Sequence, residues 1–81
     1  MPNATYDSEA DILYVQLRDS ETPATQKFLD DLRIIDYSAD GAVVGIEFIS
    51  ASAGIDLSDV PFAPSVEALI GQSGHSFKIF A

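Results

Sequence analysis

Carboxylates near the N-terminus have a spacing that suggests metal chemistry. Asp7, Glu9 and Asp11 alternate along the chain like the first ligands of a calcium-binding loop. Such a loop continues with a glycine at its sixth position and a glutamate at its twelfth. Those positions hold Ile12 and Arg18 here, so the pattern fails as a calcium loop. The segment is instead typical of a surface turn, in which short polar side chains bond the neighbouring backbone.

A second pair of carboxylates, Asp36 and Glu47, lies in two segments that are expected to be neighbouring strands. Two carboxylates on the same side of a sheet can share one proton or bind a divalent ion together. Whether these two meet depends on the register of the two strands.

Other common catalytic and metal-binding patterns are missing from the sequence. His75 is the only histidine, it lies in an expected turn, and the chain has no cysteine, so no familiar zinc site can form. The 71–74 segment lacks the strand and the spacing of a nucleophile elbow. The glycines form no phosphate-binding loop. The sequence therefore predicts no catalytic residue, no metal ligand and no cofactor.

Aromatic and acidic side chains are better candidates for contact with a partner protein. Tyrosine is enriched at the centres of protein interfaces, although tyrosines on a small sheet also pack as cross-strand pairs. With the carboxylates and the apolar C-terminal segment, they give these candidate partner-binding residues: Tyr6, Asp7, Tyr14, Asp36, Glu47, Phe77 and Phe80.

The elements that position these residues centre on the 32–50 segment. Its two arms are rich in β-branched and aromatic residues, and turn residues separate them at 38–41. The segment is therefore expected to form a β-hairpin. Gly41 is expected to supply the turn, because glycine adopts positive φ without a Cβ clash.

Two registers are open to this hairpin. A two-residue turn would place Arg33 opposite Phe48 and Ile34 opposite Glu47. A three-residue loop would instead place Arg33 opposite Glu47, an opposite-charge pair that contributes about 0.2–1 kcal/mol. We prefer the second register, because it also collects apolar residues on the face that must be buried: Leu32, Ile34, Val44, Ile46 and Phe48. Asp36 would then face the core and cap turn N–H groups, on the opposite face from Glu47.

The rest of the chain is expected to complete a small sheet. Further strands are predicted at 3–7, 12–17 and 25–29, the last of these at an edge. In the second of them the odd-numbered apolar residues are assigned to the core. The 18–25 segment is expected to be a loop, because Pro23 is incompatible with a central strand.

A helix and an apolar tail follow the hairpin. Pro64 is well placed as a first helical residue and Gly71 as a stop, which predicts a helix over 64–70. Phe77, Ile79 and Phe80 are too apolar to remain in water, so they are expected to be buried, as an edge strand of the same sheet or across a homodimer interface.

The predicted fold class is α+β, mostly β: an antiparallel β-meander of three to five strands with one short C-terminal helix. The 81 residues are expected to form a single domain over 1–81, with a β core at about 5–52 and the helix and apolar tail at 53–81. Because a chain this short buries a small core, a homodimer is expected to add stability.

Charge limits the classes of partner. Thirteen acidic residues against four basic ones give a formal net charge of −9. Nucleic acids and anionic membranes are bound through Lys and Arg, so neither is expected as a partner. A small basic protein is favoured electrostatically. No apolar run is long enough to span a membrane, and the 1–5 segment lacks the basic and apolar regions of a signal peptide, which indicates a cytoplasmic protein.

Several short motifs together resemble a known family. Residues 6–17 combine Tyr-Asp, an acidic-Ala-Asp turn and an apolar strand that contains tyrosine. Asp36-Tyr37, Asp40-Gly41, the 44–49 strand and Ala51-Ser52 continue the likeness. This pattern resembles the YuzE-like family of small, uncharacterised bacterial proteins over roughly positions 5–52. The resemblance implies a compact β-rich domain, and for some members an antitoxin role toward small basic ribonuclease-type toxins.

Two functional hypotheses follow. The first is a non-enzymatic protein-interaction module, antitoxin-like toward a small basic toxin, which combines the charge with the resemblance. The second is a domain that binds a small ligand or a divalent metal, motivated by the acidic residues Asp7, Glu9, Asp11, Asp36 and Glu47.

Overall fold

The computed structural model describes residues 2–18 and 22–80. It contains one α-helix, a 3₁₀ turn at Ala51–Ala53 and seven strands in the described chain. The strands are β1 (Asn3–Asp7), β2 (Ile12–Gln16), β3 (Thr25–Asp30), β4 (Arg33–Tyr37), β5 (Val43–Ile49), β6 (Ile55–Asp56) and β7 (Ile79–Phe80), and the helix is α1 (Ala63–Gly71). The part of the predicted 18–25 loop at positions 19–21 lies outside the described residues.

Five strands form one antiparallel sheet in the order β1-β2-β5-β4-β3. The prediction of a mostly β, antiparallel α+β fold is confirmed. The strand order departs from a simple meander, because β5 returns beside β2 and joins the first hairpin to the β3-β4-β5 unit. β3 is at one edge, as predicted for the 25–29 segment.

The turn of the β4-β5 hairpin has the predicted geometry. Gly41 has φ of 86°, and the Ser38 amide donates to the Ala42 carbonyl across a three-residue loop. Tyr37 lies opposite Val43, as this loop requires. A register shift then follows between Tyr37 and the preceding residue of β4. A bulge of this kind places two residues of one strand against one of its partner.

The bulge overturns the preferred register for the rest of the hairpin. Arg33 lies opposite Phe48 and Ile34 opposite Glu47, which is the pairing that the two-residue turn predicted. The expected Arg33–Glu47 charge pair is therefore wrong. Ile34 is buried on the other face of the sheet, and Leu32 is 50% exposed. Because strand side chains alternate, the extra residue turns these positions over.

The core lies on the sheet face made by Leu13, Val15, Ile35, Ile46 and Phe48, called here the core face; each of these side chains is at most 4% exposed. The assignment of Leu13 and Val15 to the core is confirmed. Residues from the C-terminal segment cover this face: Ile55, Leu57, Val60, Val66 and Ile70. Burying apolar surface in this way supplies most of the favourable free energy of folding.

Helix α1 is close to its predicted position. Pro64 lies in its first turn, where a missing backbone N–H costs nothing. Val66 and Ile70 are one turn apart and are buried against the core face. Phe62 precedes the helix with φ of 57°, and its side chain makes no capping hydrogen bond. In the described part of the chain, no helix is long and apolar enough to cross a membrane.

The apolar tail packs within the chain but outside the main sheet. β7 pairs in parallel with β6, and the amides of Ile55 and Leu57 donate to carbonyls of the 78–80 segment. The predicted edge strand of the same sheet is therefore wrong. Phe77 and Ile79 are partly buried against the core, whereas Phe80 is 43% exposed. A two-residue parallel pair can form here because the long connection through α1 brings its ends together.

Arg33 connects the sheet to the C-terminal segment that covers the core face. Its side chain is largely buried at the edge of the core face and binds one carboxylate oxygen of Asp30 through Nε (3.0 Å) and Nη2 (2.8 Å). Nη1 donates to the backbone carbonyls of Asp56 and Ser58. One side chain thus bonds to the five-stranded sheet, to β6 and to the segment that follows β6.

Candidate functional site: the open face of the five-stranded sheet

Alternate residues of the same strands form a second sheet face, called here the open face, since the described covering elements pack on the core face. Two rows of opposed residues cross four strands there. One row contains Tyr14, Glu47, Ile34 and Phe28, and the next contains Gln16, Gly45, Asp36 and Gln26. The register therefore places an aromatic ring and two carboxylates in adjacent rows.

Asp36 and Glu47 meet on this face, although the sequence predicted them on opposite faces. The bulge in the hairpin is the physical reason, because it moves Glu47 opposite Ile34. The preferred register predicted that Asp36 caps the turn, and this prediction is wrong. Its side chain is 3% exposed and accepts a hydrogen bond from Gln26 instead. The turn is capped by Asp40, which accepts from the Ala42 amide and the Ser38 hydroxyl.

Gln26 bridges the two carboxyl groups from the edge strand. Its Nε2 atom donates to Asp36 Oδ1 at 2.9 Å and to Glu47 Oε2 at 3.1 Å. A primary amide has two N–H donors, so one nitrogen can serve both acceptors. The Gln26 residue is exposed, which leaves its amide free to be replaced by another donor.

The surroundings of Glu47 oppose its ionisation. Partial burial raises the pKa of Glu47, and the charge of Asp36 together with a hydrogen bond to it adds to the rise. Burial also raises the pKa of Tyr14, with smaller contributions from the charges of Asp36 and Glu47. Like charges in a partly desolvated site cannot both ionise freely. A cation placed beside them would relieve this repulsion.

Gly45 makes room for Tyr14 between the rows. A Cβ atom at Gly45 would overlap the Tyr14 hydroxyl and lie 2.8 Å from the Val15 carbonyl oxygen. The tyrosine side chain therefore crosses β5 directly above the glycine. This close approach carries the hydroxyl toward the row that contains Asp36.

The site has few groups for metal or covalent chemistry. Within residues 2–18 and 22–80, no three His, Cys, Asp or Glu side chains come close enough to hold a metal ion. The arrangement instead suits recognition of a cation. Carboxylates bind guanidinium groups through paired hydrogen bonds, and a tyrosine ring attracts a cation to its face.

Comparison with protein families matches residues 3–52 to Protein of unknown function (DUF2283). The match covers more than half of the 81 residues. The chain belongs to the DUF2283 family. No curated protein and no solved structure matches it. The DUF2283 region contains the entire five-stranded sheet, whereas α1, β6 and β7 lie outside it.

Two candidate residues of the DUF2283 region, Tyr6 and Asp7, have structural contacts away from the open-face pair. The Tyr6 hydroxyl donates to Asp11 Oδ1 at 2.7 Å, and Asp11 also accepts from the amide and hydroxyl of Ser52. The hydrogen bonds from Ser52 and Tyr6 lower the pKa of Asp11, and the bond to Asp11 raises that of Tyr6. Asp7 accepts from the Glu9 and Ala10 amides, as predicted for a turn.

The tail candidates Phe77 and Phe80 have their described contacts with residues other than Asp36 and Glu47. Phe77 packs edge-on against the Tyr6 ring at 5.1 Å, and His75 packs on the same ring at 5.4 Å. Phe80 covers Gly54, where a Cβ would overlap its ring, and Lys78 Nζ is 5.3 Å from its centroid. The candidate residues therefore separate into an open-face group, Tyr14, Asp36 and Glu47, and a packing group.

Sequence reasoning missed Gln26 and Gly45. A glycine inside an apolar strand often marks a close backbone approach, which is a signal that Gly45 carried. Gln26 carried no comparable signal, because an exposed glutamine on an edge strand is ordinary. Only the register across three strands shows that it lies beside Asp36.

Proposed function

We propose that this protein is a non-enzymatic interaction module whose open face binds a positively charged segment of another protein. The observation that carries the proposal is the partly buried pair of Asp36 and Glu47, spanned by the Gln26 amide and flanked by Tyr14. Burying two carboxyl groups side by side costs free energy unless a cation or a proton compensates them. A functional role accounts for that cost.

On binding, a hydrogen-bond donor of the partner replaces the Gln26 amide. An arginine of the partner approaches over the Tyr14 ring and takes the place of the Gln26 amide on the two carboxyl groups. Its planar fork fits carboxylate oxygens better than the point charge of lysine does. The net charge of −9 increases the rate of encounter with a basic partner.

The likeness to YuzE-like bacterial proteins supports the finer proposal that the partner is a small basic toxin. We place the protein in the cytoplasm, in keeping with its lack of cysteine. A homodimer remains a prediction, supported by exposed Phe28 and Leu32 at one edge of the sheet. Sedimentation of the full chain at several concentrations tests it, and a monomer throughout contradicts it.

A titration with an arginine-containing pentapeptide tests the open face. With isotope-labelled protein, we expect saturable NMR shifts at Tyr14, Gly45 and Gln26, and weaker binding of the equivalent lysine peptide. Glu47→Gln should weaken the arginine peptide roughly tenfold, since a hydrogen bond between charged groups contributes about 1.5–3 kcal/mol.

Glu9→Gln is the matched control, because it removes the same charge from the exposed β1–β2 turn. It should leave the open-face affinity nearly unchanged. Equal weakening by the two variants, or shifts spread over every acidic surface, would show that the peptide responds only to net charge. Co-purification of a small basic protein, with rescue of growth from its toxicity, tests the antitoxin proposal separately.

The divalent-metal hypothesis has no supporting cluster among the described residues.

A further inference from the structure

The open face has an apolar half beside the carboxyl pair. The strands β2, β5, β4 and β3 each contribute one apolar side chain to it, and these residues are called here the apolar strip: Ile12, Ile49, Ile34 and Phe28. Ile12 lies opposite Ile49, and Ile34 lies opposite Phe28. Side chains two residues apart on a strand share a face, so Ile49 lies on the same face as Glu47. The apolar strip therefore borders the acidic pair.

The apolar strip is not part of the hydrophobic core. Its residues belong neither to the core cluster nor to the apolar side chains packed against that cluster. Phe28 is 61% exposed, and Ile12 and Ile49 are half-buried. Exposed apolar patches that polar groups border often mark sites where another protein binds. The apolar strip has this character.

The core face of the same sheet shows which element fits such a surface. Helix α1 packs there through Val66 and Ile70, which lie one turn apart on one side of the helix. Helices cover sheet faces in this way because an apolar stripe on the helix is buried against the apolar side chains of the strands. The apolar strip offers a comparable surface, but α1 is the one α-helix of the described chain.

Charge indicates which occupant the open face favours. The apolar strip borders Asp36 and Glu47, and the chain has a net charge of −9. A second copy of the chain would bring a further charge of −9 to the same face, so electrostatic repulsion opposes it. A basic segment of another protein is attracted to the same place.

Helical spacing matches the separation of the acidic pair from the apolar strip. Glu47 and Ile49 are two residues apart on β5, which corresponds to about 7 Å. Residues three or four positions apart on a helix are separated by about 5–6 Å. A helix that directs an arginine to the carboxyl pair therefore places its next residue on the same side over the apolar strip.

We propose that the partner segment is an amphipathic helix that carries an arginine and a large apolar residue one turn apart. This inference rests on the proposed function, in which the arginine binds Asp36 and Glu47. The apolar residue packs on the apolar strip and covers the exposed ring of Phe28. The partner helix and α1 then lie on opposite faces of one sheet. The spacing selects one kind of basic segment among many.

Two stapled helical peptides of identical composition test the spacing. Each has one central arginine and two leucines. In the first peptide the leucines lie four residues before and after the arginine, so either orientation of the helix places one of them over the apolar strip. In the second they lie two residues before and after it, on the opposite side of the helix. In NMR titrations of the labelled full chain, we expect the first peptide to bind roughly tenfold more tightly, with shifts at Phe28 and Ile49.

Phe28→Ala tests the surface on the protein. It should weaken the first peptide roughly tenfold, because it removes the exposed ring from the apolar strip. It should leave the affinity of a pentapeptide of one arginine among glycines and serines unchanged. Phe62→Ala is the matched control, because it removes the same side chain from a position that is 63% exposed at the start of α1. The control should change neither affinity.

The partner helix is overturned if the two helical peptides bind equally, or if Phe28→Ala leaves the affinity of the first peptide unchanged. The proposed function survives both results when the arginine pentapeptide still binds and still depends on Glu47. Glutamine in place of the arginine of the first peptide tests the proposed function separately. Equal binding of that peptide, with the spacing preference intact, would overturn cation recognition. A dimer that Phe28→Ala converts into a monomer in sedimentation would identify a second copy as the occupant and overturn the partner helix.

Discussion

The two faces of the five-stranded sheet are built from alternate residues of the same strands, yet they differ in chemistry. In β5, Ile46 and Phe48 are at most 2% exposed and lie under the C-terminal segment. Glu47, between them, points to the open face beside Asp36. Burial of the apolar side chains on the core face stabilises the fold. Burial of a carboxyl pair costs free energy instead. The proposed binding role of the open face would account for this difference.

The largest expected effect compares two phenylalanines. Phe48→Ala should lower the free energy of unfolding by about 3–5 kcal/mol, because it empties a packed core position. Phe28→Ala removes the same side chain from the open face, where it is 61% exposed, and should change stability by less than about 0.5 kcal/mol. Urea unfolding measures both. Equal losses would mean that the open face is covered in solution.

The second prediction concerns Arg33, which connects the sheet to the C-terminal segment that covers the core face. Arg33→Leu leaves the carbonyls of Asp56 and Ser58 without their side-chain donor. We expect a loss of roughly 1.5–3 kcal/mol, because a hydrogen bond from a charged group contributes about this much and water can partly satisfy the exposed Asp56 and Ser58. Lys27→Leu, at an exposed position of β3, is the control in the same urea experiment. A loss no larger than that of the control would show that Arg33 does not hold the cover.

The turn that precedes the bulge gives a third test. Gly41→Val places a β-branched residue at φ of 86° and should cost about 1–3 kcal/mol. A Cβ there meets no atom within 4 Å, so the cost is purely conformational. Gly71→Val is the matched control, because its Cβ also enters open space but its φ is helical. Equal melting temperatures for the two variants would contradict the turn geometry.

The smallest effect is the most specific to the open face. The pKa of Glu47 is raised above its ordinary value of 4.5, so the folded state holds this proton more tightly than the unfolded state does. Stability contributed by Glu47 is therefore lost as pH rises through the raised pKa. Glu47→Gln should be more stable than wild type at pH 7, by less than about 1 kcal/mol, as is usual for partly exposed charges.

This difference should shrink as pH falls toward 4.5, where wild type regains the proton. Melting temperatures of both proteins across that range provide the measurement. Glu67→Gln removes the same charge from an exposed position on α1 and is the comparison variant in the same experiment. A gap between wild type and Glu47→Gln that is constant with pH would mean that the pKa of Glu47 is not raised in the folded state.

Local patterns in the sequence were enough to predict most of the elements. Strand alternation located β2, β-forming residues located β1, and proline and glycine placed α1 within one residue at each end. The three-residue turn at Gly41 was also correctly predicted. These features depend on residues that are close together in the chain, where side-chain periodicity and backbone preference act directly.

The candidate site required information that local patterns do not contain. One bulge beside Tyr37 reverses which face Ile34 occupies, and it brings Glu47 to the same face as Asp36. The stability expected from an Arg33–Glu47 charge pair was an argument for the wrong register. In the structure, Arg33 bonds instead to the Asp30 carboxylate and the Asp56 carbonyl. The Asp56 carbonyl becomes a partner only through packing of the C-terminal segment, which the hairpin sequence alone does not encode.

The position of β7 in the chain has a consequence for synthesis. The five-stranded sheet is complete at Ile49, but the pair that closes its cover requires Phe80, 31 residues later (80 − 49). At about 5–20 residues per second, a ribosome needs about 2–6 s to add them. During that time Phe48 and its neighbours are translated but have no complete cover. The nascent chain therefore has an interval in which chaperones or other nascent chains compete with its own C-terminal segment for the same apolar surface.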